Sequence, residues 1–135
     1  MSTSNAGNVI RYKLVNTSGV TALVGTKIRP MRAADADSYP YIIYEKISEP
    51  SLQTKDGNSD WYKARYQLSM LATTLASVHS IADAVRAALD GVGGTIAGFN
   101  VQRITFIEER DIFNDNSAVD GVYMLQQDYF LTIQV

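Results

Sequence analysis

His79 is the only histidine in the chain, which makes it the first candidate for proton transfer near neutral pH. It lies on the flank of a helical stripe, one turn before Asp83 and two before Arg86. A general base needs a nucleophile to serve. The chain has no cysteine, and no serine stands in a nucleophile motif. The favoured reading of His79 is therefore a surface or rim position. Glu108 and Glu109 are a second candidate, but adjacent strand residues point to opposite faces and cannot work together as acid and base. Glu108, Glu109, Asp111, Asp115 and Asp120 do not follow the calcium-loop spacing, with its alternating oxygens and sixth-position glycine, so they read as a solvated acidic loop. Gly91-Val92-Gly93-Gly94 follows a helix, whereas phosphate-binding glycines precede one, and here they read as a helix stop. Lys55, Lys63 and Arg65 near Trp61 and Tyr62 form the one basic-aromatic grouping, countered by Asp56 and Asp60. Neither a catalytic, a cofactor nor a metal constellation emerges, and the chain reads as a non-enzyme.

Several stretches must position these residues. Tyr41 to Ser48, opened by Pro40 and stopped by Pro50, has the densest run of β-branched and aromatic residues and reads as a strand well inside a sheet. A first helix runs from a cap at Ser4 or Asn5 to about Asn16, with Val9, Ile10, Leu14 and Tyr12 as its stripe. Ser18 can cap a short helical turn that Gly25 ends, and Lys27 to Met31 reads as a short edge strand. Glu49 to Asp60 carries the turn Lys55-Asp56-Gly57-Asn58 and reads as the tip of an extended hairpin. From Trp61 to Leu71 the alternation is clean, with Tyr62, Ala64, Tyr66, Leu68 and Met70 on one face. The main helix runs from a cap at Thr73 or Thr74 to Leu89 on a stripe of Leu75, Val78, Ile81, Ala82, Val85, Ala88 and Leu89. A strand from Phe99 to about Glu108, the acidic loop to Gly121 and a strand from Val122 to Val135 complete the chain. In that last strand Met124 and Phe130 oppose the apolar face of Tyr129, Leu131, Ile133 and Val135, which points to a bulge near Gln127 or to a covering neighbour. The order α-β-β-β-α-β-β gives an α+β fold, a mostly antiparallel sheet with its helices on one face.

Composition sets outer bounds. A chain of 135 residues reads as a single domain over 1–135, with 46% hydrophobic and 19% charged residues, as in ordinary globular proteins. A net charge of -2 gives no general attraction to phosphates, no stretch nears the roughly 18 apolar residues of a membrane span, and the polar start is unlike a secretory signal. The lack of cysteine excludes disulfides and fits a cytosolic origin.

Five cues together resemble the tail completion family of tailed bacteriophages, the head-to-tail joining and tail-terminator type proteins. These are Val20 to Pro30, the proline-led strand Tyr39 to Tyr44, Tyr66-Gln67-Leu68-Ser69-Met70 leading into the Ala-rich helix, the Leu89-Asp90-Gly91 ending, and the acidic Glu108 to Asp120 loop before Tyr123 and Asp128 to Ile133. The resemblance implies a structural virion protein without catalysis or cofactor, assembled in the host cytoplasm. It implies a homo-oligomeric ring, commonly a hexamer, between the tail tube protein and the head connector or stopper, with DNA passing through the lumen without sequence-specific binding. Candidate subunit or partner contacts are Lys55, Asp56, Trp61, Tyr62, Phe113, Asp115, Met124 and Phe130. The competing readings are a capsid-side neck adaptor and a non-viral small-ligand-binding α+β module. The hairpin and the acidic loop are expected to project from the sheet toward neighbours or the lumen. Deleting Gln53 to Ser59 should therefore impair ring assembly or head joining, and a deletion that left both intact would refute the expectation.

Overall fold

The computed structural model describes residues 3–33, 38–49, 51–54, 57–113 and 122–134. A 3-10 turn at Thr3–Asn5 leads into helices α1 (Gly7–Val15) and α2 (Ser18–Val24). Strands β1 (Ile28–Pro30), β2 (Tyr41–Ser48), β3 (Ser51–Thr54) and β4 (Gly57–Ala72) follow, then helix α3 (Leu75–Leu89) and strands β5 (Gly94–Ile96), β6 (Phe99–Phe113) and β7 (Tyr123–Gln134). The strands form one sheet in the order β1-β2-β4-β7-β6-β5, with β3 paired to β4. Every pairing is antiparallel except β1 with β2. The α+β class and the order read from the sequence hold, with β3 and β5 as short additions.

The middle of the sheet is β4 and β7, not β2. Each has long partners on both sides, whereas β2 has only the three-residue β1 beyond it. High β propensity made β2 conspicuous, but position in a sheet is set by what pairs on either side. β4 and β7 run in unbroken register from Trp61↔Gln134 to Ala72↔Tyr123, so no bulge lies near Gln127. The irregularities sit in β6 instead, between Val101 and Arg103 and between Phe106 and Glu108. The acidic segment is also shorter than a loop from Glu108 would be: Glu108 to Phe113 continue β6, paired from Asp128 to Tyr123. Polar residues stay in a strand here because β7 offers them a full ladder.

One alternation along each strand is buried, and the helices cover that face. Ile42 and Tyr44, then Ala64, Tyr66, Leu68 and Met70, then Leu125, Tyr129, Leu131 and Ile133 line it. Over them lie Val9, Ile10 and Leu14 of α1, Val20 and Val24 of α2, and Val78, Ile81, Ala82, Val85, Ala88 and Leu89 of α3. Tyr12 and Leu75 depart from the expected stripes and are exposed, Tyr12 on the outer side of α1 and Leu75 at the first position of α3. The α3 start uses Thr74, whose hydroxyl accepts from the Ser77 N–H at 3.1 Å. α1 starts after Ala6 without a side-chain cap, Ser4 and Asn5 lying in the preceding 3-10 turn, and α2 begins at Ser18 rather than after it. Gly25 ends α2 at φ 62°, as the sequence requires.

Gly93 marks a close backbone approach: a Cβ there would stand 2.5 Å from the Gln102 carbonyl oxygen. Gly93→Ala is therefore expected to lower stability, and Leu68→Ala to cost about 2–5 kcal/mol in urea denaturation, while Ile47→Ala on the exposed end of β2 should stay within about 0.5 kcal/mol of wild type.

Candidate interaction surfaces

The second face of the sheet carries no helix among the described residues, yet it is not uniformly wet. Register places Glu45 of β2, Gln67 of β4, Asp128 of β7 and Glu108 of β6 in one row across four strands. Asp128 is only 3% exposed despite lying on the open face. The long stems of neighbouring arginines cover it while their charged ends hold it. Arg65 donates to Asp128 Oδ2 from Nη2 at 2.6 Å and from Nε at 3.2 Å. Glu108 Oε1 accepts from Arg65 at 3.3 Å and from Arg110 at 3.2 Å, bridging the two guanidiniums. Asp128 Oδ1 makes no hydrogen bond; its nearest cation is Arg110 Nη2 at 3.5 Å, an ionic contact. With its amide group turned toward Glu45, Gln67 donates to Glu45 Oε1 at 3.1 Å and accepts from Arg110. The Asp128 hydrogen bond is the main cause that raises the Arg65 pKa above its ordinary value.

The candidate contact residues divide between the two faces. Trp61, Met124 and Phe130 share the open face, each half-buried, and Phe130 lies under the Lys63 ammonium at 4.2 Å. Tyr62 is on the helix side, packed against the core. Phe113 ends β6 opposite Tyr123. Lys55, Asp56 and Asp115 lie outside the described residues, as do Asp120 and Val135. The expected hairpin is present in its backbone as β3 and the start of β4, paired from Ser51↔Tyr62 to Thr54↔Gly57. β7 ends at Gln134 opposite Trp61, so Gly57 to Asp60 run past the β7 edge.

His79 is exposed, with Nε2 3.1 Å from Asp111 Oδ1. Glu108 and Glu109 do part company, Glu108 to the arginines and Glu109 to Gln127 Nε2 at 2.8 Å. Gln127 is wholly buried under α3; it also donates to the Ala82 carbonyl at 3.1 Å and accepts from Tyr129 Oη at 2.8 Å. Sequence reading overlooked both this network and the Asp128 lock. The available signal was Gln127-Asp128, a polar pair in the middle of an apolar strand. An apolar hollow lined by Gly7, Pro30, Met31, Tyr44 and Tyr66 holds about 180 Å³, below the roughly 300 Å³ at which small-ligand sites begin.

With the geometry in place, the model of the tail completion protein gp17 family matches residues 8–127. The chain belongs to this family. Its members are structural proteins of phage tails, and that is the role this chain takes in outline. No curated protein matches the chain. A solved structure described as the virion of a native gene transfer agent particle is similar over 99% of this chain and 100% of its own, with 15% identity and a TM-score of 0.74. A second solved chain, 12% identical with a TM-score of 0.60, is similar over 100% of this chain and 97% of its own. At such identities the likeness is one of fold.

Two outcomes test the polar networks. Arg65→Met should destabilise the fold by leaving Asp128 buried without its main partner, and Arg65→Met with Asp128→Leu should recover much of the loss in a double-mutant cycle; equal stability of Arg65→Met and wild type would refute the lock. Burial pushes the Tyr129 hydroxyl pKa upward, as it does for Tyr66. A raised folded pKa means that this contribution is complete below the unfolded value of about 10 and falls away as pH rises beyond it. Unfolding midpoints should drop above about pH 10, and Tyr129→Phe should make that drop shallower.

Proposed function

We propose that the chain forms a homo-oligomeric ring at the head-proximal end of a phage tail, where it ends the tail tube and joins it to the head connector or stopper. The family match across residues 8–127 carries this reading. Three further features support it. The chemistry expected of an enzyme is thin, with the single histidine exposed and tied to Asp111. The sheet has one covered face and one open face that keeps half-buried Trp61, Met124 and Phe130 beside its charge network. A net charge of -2, with Arg65 and Arg110 engaged by carboxylates, offers no strong grip on phosphates and suits a channel through which DNA slides. The hairpin 51–60 and the segment after Phe113 would contact neighbouring subunits or the lumen. Tail tube protein on one side and connector on the other are the expected axial partners, and the virion is the site of action.

Light scattering on a sizing column, with negative-stain images of the same peak, tests the ring. The expected outcome is a closed, hexamer-sized ring with an open centre. A monomer that also fails to add to purified tail tubes would overturn the reading. Gold labelling of intact particles separates the tail-end position from a capsid-side adaptor.

A further inference from the structure

Part of the basic-aromatic grouping read from the sequence, Lys63 and Arg65 of β4, lies on the open face of the sheet, toward the end away from Met124. Lys63, Thr132 of β7 and Arg103 of β6 stand in one row across three strands. Two strand spacings, about 10 Å, separate the two cations. Phe130 stands in the next row, under the Lys63 ammonium. Arg65 and Arg110 are held by Asp128 and Glu108, whereas Lys63 and Arg103 form no ion pair with a described carboxylate. Arg103 is exposed and Lys63 half-buried.

On the helix side the charge is reversed. Leu75, His79 and Asp83 follow one another at four-residue spacing along α3, and all three are exposed. Beside them β6 turns Glu109 and Asp111 to the same side, where their β7 partners Gln127 and Leu125 are buried. His79, Asp83, Glu109 and Asp111 line a polar hollow of about 260 Å³. His79 meets Asp111 and Gln127 meets Glu109, which leaves Asp83 without a hydrogen bond or ion pair among the described residues. Arg86, one turn further on, is laid over Phe106. Leu75 adds apolar surface that the core does not use.

We propose that the Lys63–Thr132–Arg103 row of one copy seats on the α3–β6 acidic side of a second copy, its two cations meeting Asp83 and Asp111 while Phe130 and Leu75 share the apolar part. This rests on the ring reading above and names its joint. The two patches lie on opposite faces of one sheet, so a copy cannot join its own. Each copy uses both only by touching two neighbours, a heterologous contact that gives a ring when the rotation closes. Opposite potentials decide which surfaces meet, and in which direction, more than they add affinity. Phosphate is the other anion such a row could take. Two unengaged cations per chain offer duplex DNA little, whereas every further copy supplies the matching carboxylates.

Charge reversal in the full chain tests the joint. One variant carries Lys63→Glu with Arg103→Glu, the other Asp83→Lys with Asp111→Lys. Mass is measured by light scattering, and addition to purified tail tubes alongside it. Each variant by itself sets like charges against each other and is expected to lose both the ring-sized mass and the addition to tubes. An equimolar mixture restores opposite charges at every contact of an even-numbered ring, and a chain with all four substitutions does so in any ring. Both are expected to recover what the single variants lose. Assembly of each variant alone, as in wild type, would overturn the joint and leave the ring standing. So would loss without recovery in either combination when the unfolding midpoints match wild type. Should a midpoint fall, Arg103→Glu and Asp83→Lys, at the two exposed and unpaired positions, repeat the test with the same readings. Duplex DNA retained by wild type and released by Lys63→Glu with Arg103→Glu, the ring staying intact, would assign the row to phosphate instead. A wild-type chain that stays monomeric and fails to add to tubes would remove the ring and its joint together.

Discussion

The unbroken pairing of β4 with β7 is the constraint on which the rest depends. From Trp61↔Gln134 to Ala72↔Tyr123 no residue slips, and a slip of β7 by one would turn Leu125, Leu131 and Ile133 out of the core and Asp128 into it. The long shared register therefore decides both what the helices cover and what is left open. It also explains why α3 needs only one stripe: Val78, Ile81, Ala82, Val85 and Leu89 meet a surface that is apolar at every second residue of two adjacent strands except Gln127, whose amide bonds the Ala82 carbonyl of that helix.

Much of this was legible from the residues. The alternation of Tyr62 to Met70 and the stripe of α3 specify their faces because burial follows the backbone period directly, and both held apart from Leu75. Gly25 and the glycines after Leu89 announced their turns for the same local reason. Sheet order was not legible: β2 looks central because propensity reports what a strand is made of, while neighbours are set by chain topology. Nor was the extent of β6, since Glu108 to Asp111 look like loop residues until β7 and Arg65 are beside them. Among the candidate contacts, the alternation of β7 put Met124 and Phe130 on the open face. Nothing local foretold that Asp128 between them would be buried by arginines from two other strands.

The bulge between Phe106 and Glu108 adjusts what the β4–β7 register leaves over. An extra residue in β6 resets its alternation against β7. Before it, Phe106 turns to the helix side, where its ring meets Tyr129 edge-on at 5.6 Å and Arg86 stacks over it at 3.9 Å. After it, Glu108 reaches the arginines of the open face and Glu109 the buried amide of Gln127. One irregularity thus lets one strand serve an aromatic cluster, a buried amide and a surface charge network.

A charge network is a costly way to fill an open face. Desolvating Asp128 and its arginines returns less than well-packed apolar residues would in terms of stability alone. Apolar residues across four long strands would instead make a broad adhesive patch, with no preferred partner or register. Engaged guanidiniums and carboxylates keep the face closed to non-specific contact, and Pro30 and the 90–93 turn do the same for two stretches of edge.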